Sequence, residues 1–352
     1  MATKSPPSKR TRMIDIAREA GVSVATVGHV LGGSGGKNVR VGSATQAKVQ
    51  EIAKDLNYRP NQSAQQLAGK KSNIIAVAYD PQSSPFVQRI FAEMDGFASN
   101  LGYRLLVGNP TFDKVKMADF IDELMARGVD GMLCLHHGHR EPEFFPTHAL
   151  RLGNVVFLGK PPVSGASYVT WDDTDGTRRL VKHLLDNGHK RPALLIADEV
   201  WRGTRQRKEG FLRELEASGV SAQDALIWVG GDRVRPDPQM INDEMADAII
   251  DEVVLAGKAD AVLCQTDYWA AIVIRRLKAR GLRVPEDVAV VSYDNFEFAE
   301  FLDPQLTTLD PQASKIANAA VNMLHDMIVG KADKDLQQSI VVQSRLAVRK
   351  SS

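Results

Sequence analysis

Long apolar runs are missing from this 352-residue chain. None approaches the 18 residues that a membrane-spanning helix needs, so no membrane partner is expected. Cysteine is scarce. The two present, Cys134 and Cys264, each sit in an apolar, strand-like run and read as buried thiols in a reducing cytoplasm rather than a disulfide framework. Met1 to Arg12 is basic and polar with no apolar stretch, which excludes a secretory signal. No Gly-x-Ser-x-Gly elbow occurs. The cluster His136-His137-x-His139 has no companion Cys/His group at metal-ligand spacing, so it reads as loop residues. Neither a metal nor a cofactor is expected, and the chain does not read as an enzyme. With 43% hydrophobic and 25% charged residues, it is globular, and disorder and fibre are excluded.

What is there is distributed unevenly. A net charge of +1 conceals a basic head and an acidic body. Residues 1–70 carry eleven Lys/Arg against four Asp/Glu, and the remainder 33 against 39. A head with a surplus of seven positive charges is suited to a polyanion. The length implies more than one domain.

The apolar pattern changes along the chain. Residues 1–11 read as a flexible leader. Met13 to Ala20 then forms a short amphipathic helix with Ile14, Ile16, Ala17 and Ala20 packing inward, followed by Gly21 as a left-handed cap. Ser23 is a good N-cap for a second helix over Val24 to Leu31, and Ser43 or Thr45 opens a third that runs to about Leu56. Two helices joined by a tight glycine turn, plus a third, match the helix-turn-helix layout. The glycine-rich stretch from Gly32 to Asn38 lacks the spacing of a phosphate-binding loop.

From Ile74 on, unbroken apolar runs alternate with amphipathic helices: IIAVAY, YRLLVG, GMLCL and NVVFLG, then RPALLIA, ALIWVG, ADAVLC and DVAVVSY. Runs of this kind imply parallel strands covered on both faces, in two α/β lobes. The expected ligand position in such an architecture is at the carboxyl ends of strands, between the lobes.

The specific residues point further. Ile14-Asp15-Ile16-Ala17-x-x-Ala20-Gly21-Val22-Ser23-x-Ala25-Thr26-Val27-x-His29-Val30-Leu31 combines with Leu56-Asn57-Tyr58-Arg59-Pro60-Asn61 and Ala64-Gln65-Gln66-Leu67-Ala68-Gly69. In the body stand Arg207-x-x-Gly210-Phe211, Thr266-Asp267, Val284-Pro285-Glu286-Asp287-Val288, Tyr293-Asp294 and Pro304-x-Leu306-Thr307-Thr308. Over roughly residues 12–345 this pattern resembles the LacI/GalR (lactose-repressor) family of bacterial transcription regulators.

The resemblance implies a cytoplasmic, homodimeric transcription regulator with a pseudo-palindromic double-stranded DNA operator. It would be a repressor controlled by a small-molecule effector, a sugar or sugar derivative. The implied fold is α/β: a three-helix helix-turn-helix head over 12–60, a hinge helix within 61–72, and a two-lobed periplasmic-binding-protein-like sensor with parallel sheets. The first lobe is expected over 73–171 and 310–338, and the second over 172–309 and 339–352. For DNA, Val24, Ala25 and His29 would face base edges, with Ser23 and Thr26 on phosphates. Asn61, Ala64 and Gln65 would approach the minor groove, where Leu67 would insert as a wedge. For the effector, the resemblance puts Arg207 and Asp294 in the cleft, with Thr266, Asp267, Phe86 and Trp201 nearby. Arg233 and Lys160 add positive charge that hints at an acidic or phosphorylated ligand. Two departures stand out: Gly28 replaces a usual serine, and the loop over 32–38 is longer than expected. The rival reading is a receptor of the periplasmic-binding-protein type with no regulatory role.

Overall fold

The protein is represented by a computed structural model that describes residues 11–32, 41–59, 71–81, 83–109, 114–135, 144–199, 202–234, 240–332 and 336–352. The chain divides into two compact units, Met1–Asn73 and Ile74–Ser352.

In the first unit, helices α1 (Met13–Ala20), α2 (Val24–Gly32) and α3 (Ser43–Asp55) enclose a small core. Ile16, Ala17, Ala20, Val27, Val49 and Ala53 are buried in it. Ile14, expected to face inward, is 48% exposed, because the two buried positions after it already fill the seam. Gly21 takes φ of 71° and its N–H closes on the Ala17 carbonyl, the left-handed exit that glycine allows at little cost. The Ser23 hydroxyl accepts from the Thr26 N–H at 3.1 Å and so caps α2.

The second unit holds two six-stranded sheets. The first lobe contains β1 (Ile74–Ala78), β2 (Arg104–Gly108), β3 (Gly131–Cys134), β4 (Val155–Leu158) and β5 (Ser167–Trp171). With β11 (Ser339–Val342) added from near the chain's end, its sheet order is β11-β5-β4-β3-β1-β2, with every pair parallel. Helices α4 (Pro85–Asn100), α5 (Lys114–Arg127) and α6 (Phe144–Ala149) connect these strands. Ile75 to Ala78 are wholly buried, and cores form on both faces of the sheet. This is why the strands read as continuous apolar runs.

The second lobe contains β6 (Pro192–Ile196), β7 (Leu226–Val229), β8 (Ala261–Leu263), β9 (Ala289–Tyr293) and β10 (Thr307–Asp310). With β12 (Arg345–Ala347) at its edge, its order is β12-β10-β9-β8-β6-β7, parallel except where β12 runs against β10. Helices α7 (Asp173–Asp186), α8 (Arg202–Ala217), α9 (Asp243–Ile249) and α10 (Asp267–Ala279) belong to this lobe. Cys134 and Cys264 are free and buried.

The chain crosses between the lobes three times. After β5 it enters α7, and after β10 it returns through α11 (Ala313–Val329), which packs on the first lobe's core. The expected last boundary, at 338, needs correction. Strand β11 (Ser339–Val342) pairs in parallel with β5 in the first lobe, and only β12 (Arg345–Ala347) joins the second. Val342 is the sole buried residue of β11, so its sequence carries little strand signal.

A candidate effector site and a candidate DNA-reading helix

On the head, Ser23, Val24 and Ala25 are exposed, with Val24 at 45%. Thr26 and His29 are half-buried. The Ser23 and Thr26 hydroxyls hydrogen-bond each other at 2.8 Å. The His29 Nδ1 atom is buried without a hydrogen-bond partner, one turn beyond the exposed apolar pair. Asn61, Ala64, Gln65, Leu67 and the glycine-rich loop over 33–40 lie outside the described residues. So does His136-His137-x-His139. Among the described residues no group of three His, Cys, Asp or Glu side chains could hold a metal ion, and no helix is long and apolar enough to cross a membrane.

In the sensor unit one guanidinium, that of Arg207, gathers groups from the start of α7 and from the ends of β8 and β9. Arg207 lies on α8, three residues before Gly210. A Cβ at Gly210 would come within 2.2 Å of the Thr174 carbonyl oxygen, so only glycine allows α8 to lie this close to the start of α7. That approach sets Arg207 Nε 3.5 Å from Asp173 Oδ1. Its Nη1 donates to the Gln265 carbonyl at 2.6 Å, and its guanidinium carbon stands 3.9 Å above the Tyr293 ring. The Tyr293 hydroxyl in turn bonds Thr177 Oγ1 at 2.9 Å.

Asp173 is 2% exposed. The Trp171 indole N–H donates to its Oδ2 at 3.2 Å, while Oδ1 has no hydrogen-bond partner, nor does Arg207 Nε. The two therefore form an ion pair at a distance beyond good hydrogen bonding. Burial raises the Asp173 carboxyl above its ordinary range, against the pull of Arg207. Burial also works against the Arg207 charge, but Asp173 and Asp294 outweigh it and hold its pKa above normal.

Asp294 follows β9 with a φ of 102° and is 5% exposed. A non-glycine residue held there is strained. Burial pushes its carboxyl up to about 7, with Arg207 opposing the shift. The Asp294 N–H donates to the Leu309 carbonyl at 2.9 Å, and the Asp294 carbonyl accepts from Arg89 Nη1 at 3.5 Å. Arg89 Nη1 also reaches the Asn295 carbonyl at 3.1 Å. Since Arg89 belongs to α4 of the first lobe, the Asp294 loop is contacted from both sides. Phe86, at the start of the same helix, is 6% exposed and meets the Trp171 ring edge-on at 5.2 Å.

Three of the expected effector residues are otherwise engaged. The Asp267 carboxylate accepts from Ser292, from Thr308 Oγ1 at 2.7 Å and from the Phe296 N–H at 2.7 Å. It is wholly buried, and burial moves it up to about 6. Thr266 caps α10 through the Trp269 N–H at 3.3 Å. These two hold the strand ends together instead of facing the cleft. Arg233 pairs with Glu252 at 2.9 Å and lies 4.5 Å over the Trp228 ring, so its charge is already matched. Trp201 lies outside the described residues. Asp173, Trp171, Tyr293 and Arg89 were not expected. Of these, Tyr293 stands in the Tyr293-Asp294 motif, as a neighbour of the expected residue and not as a site residue itself.

Comparison with known proteins agrees with this organisation. Residues 12–61 match the family described as bacterial regulatory proteins, lacI family, and residues 181–352 match the periplasmic binding protein-like domain. The HTH-type transcriptional repressor PurR of Mannheimia succiniciproducens is 27% identical over 96% of this chain and 97% of its own. The HTH-type transcriptional regulator DegA of Bacillus subtilis is 27% identical over 97% and 98%. Among solved structures, the Lac repressor dimer bound to operator and the anti-inducer ONPF has a TM-score of 0.82 at 24% identity, covering 97% of this chain and 99% of that one. The transcriptional regulator CelR in complex with cellobiose has a TM-score of 0.67 at 26% identity, covering 97% and 100%. Head and sensor together identify the chain as a member of the LacI family of bacterial regulatory proteins, a DNA-binding transcriptional regulator with a ligand-binding domain.

Proposed function

We propose that this protein is a cytoplasmic, homodimeric repressor whose hold on a pseudo-palindromic operator is controlled by a small, oxygen-rich effector, a sugar or sugar derivative, bound between the lobes. One observation carries the effector reading. Arg207, half-buried on α8, and Asp294, buried at the end of β9, lie close enough for their charges to interact, and Arg89 of the first lobe reaches the Asp294 loop. A planar fork of donors beside a carboxylate acceptor suits neighbouring hydroxyls. The related CelR complex contains cellobiose, which supports a carbohydrate.

For DNA, the exposed Ser23, Val24 and Ala25, with Thr26 and His29 behind them, form the reading face. Asn61, Ala64, Gln65 and Leu67 form the hinge contacts, with Leu67 as a minor-groove wedge. Two-fold symmetry of the dimer matches a palindromic site. A receptor without a regulatory role would leave the basic head unexplained.

The test has two arms. Operator affinity measured from about 50 to 200 mM salt should fall steeply, because the basic head displaces counterions from several phosphates. Deleting residues 1–60 should abolish DNA binding and leave intact the ligand binding found in a thermal-shift screen of sugars, sugar acids and sugar phosphates. Affinity indifferent to salt, or no sugar-class hit, contradicts the corresponding half of the reading.

A further inference from the structure

We propose that Asp173 is a specificity-determining residue of the effector site. By holding the Arg207 guanidinium in an internal ion pair, it closes the site to anionic small molecules and leaves it to uncharged, hydroxyl-rich ones. This rests on the reading that Arg207 faces the effector.

The charges around Arg207 make the case. Asp173 stands 3.5 Å from its Nε and is almost fully buried. Asp294, also buried, supplies a second negative group close enough to act on the same guanidinium. The other cations nearby do not restore the balance. Of the cations that act on these carboxylates, Arg89 is directed onto two main-chain carbonyls beside Asp294, and Arg202 is exposed to water. Arg207 itself has one face against Tyr293 and one donor committed to Gln265. A phosphate or carboxylate entering here would be a third anion on one guanidinium in a dry setting. Like charges so placed oppose ionisation and binding alike. A neutral hydroxyl meets no such penalty.

The arrangement is held firmly. Trp171, the last residue of β5, donates its indole N–H to Asp173 Oδ2 and leaves Oδ1 turned toward Arg207. Gly210 fixes the distance between the two helices. The acceptor for Trp171 survives in asparagine, while the charge does not. Asp173→Asn therefore separates the electrostatic role from the positioning role.

Inorganic phosphate is the probe, titrated into the full chain at pH 7.5 by calorimetry, with Arg207→Ala as the reference that subtracts phosphate bound by the basic head. The parent should show no phosphate binding beyond that of Arg207→Ala. Asp173→Asn should gain a saturable site at least about tenfold tighter than any seen in the parent, the change expected when one charge-assisted contact becomes free. The gain should vanish in the Asp173→Asn/Arg207→Ala double variant. Arg207-dependent phosphate binding by the parent overturns the proposal. So does an Asp173→Asn protein that melts cooperatively yet binds phosphate no better than the parent. If that variant does not fold, Asp173→Ser and the parent against Arg207→Ala decide the matter. Failure of the underlying effector reading looks different: Arg207→Ala would then keep its response to the screened sugar whatever phosphate does.

Discussion

Arg89 Nη1 donates to the main-chain carbonyl of Asn295 at 3.1 Å, a contact between residues 206 positions apart. It joins the first helix of one lobe to the loop that carries Asp294 in the other. Its partner is a backbone oxygen, so the bond depends on the loop's conformation and not on the identity of residue 295. Arg89→Ala should destabilise the sensor unit by about 1.5–3 kcal/mol, the usual worth of a hydrogen bond to a charged group. Urea denaturation followed by tryptophan fluorescence reads this directly. An unchanged midpoint would mean that the two lobes are held by other contacts.

Much of the architecture is legible in the amino-acid sequence. The head declares itself because Ile16, Ala17, Ala20 and Val27 fall on one seam around Gly21 and Ser23. The apolar strands declare themselves because helices cover both faces of each sheet. Strands β5, β10, β11 and β12 escape notice: β5, for example, mixes Tyr168 and Thr170 with apolar residues, and β11 exposes Ser339, Ile340 and Val341. The lobe boundary near 340 is lost with them.

The site was half legible. Arg207 and Asp294, both singled out from the sequence, come close enough in the structure for Asp294 to act on the Arg207 guanidinium. Asp267 was misread because its partners, Ser292 and Thr308, come from two other segments, and a buried carboxylate satisfied at long range resembles a ligand-binding one in sequence. Arg89 left no trace, since a bond to a distant carbonyl imposes no pattern on either segment.

Gly28 offers a test of the head. It lies within α2, and a Cβ there would find only Met13 Sδ, at 3.9 Å. That is ordinary van der Waals contact, so alanine fits without displacement. Gly28→Ala should stabilise the head by about 1 kcal/mol through helix propensity alone. Thermal unfolding of the isolated variant and parent, without DNA, measures it. A lower melting point for the variant would show that the backbone at this position is not settled in a helix.

Asp294 predicts a pH dependence. Its folded pKa is raised to about 7, so the folded protein keeps the proton that an unfolded chain releases near pH 4. The stability associated with this proton is complete below about pH 4 and is lost as the pH climbs to about 7. Asp294→Asn cannot ionise and should escape that loss. Its stability relative to the parent should rise by on the order of 2 kcal/mol between pH 4.5 and pH 8, after allowance for coupling to Arg207. Denaturation curves at the two pH values give the difference. A constant offset between parent and variant would place the ionised carboxylate in a setting that already stabilises it.

Arg207 gives the most direct test of the account, in which a head binds DNA and a buried cleft controls it. Fluorescence anisotropy of a labelled duplex carrying the operator, titrated with the parent and with Arg207→Ala in the presence and absence of the sugar found by the thermal-shift screen, measures both functions at once. The expected variant binds the duplex as the parent does without sugar, while its sugar response moves to concentrations about ten- to a hundredfold higher, the loss of one charge-assisted hydrogen bond. An Arg207→Ala protein that is folded, binds the operator and still responds at the parent's sugar concentration would contradict the account.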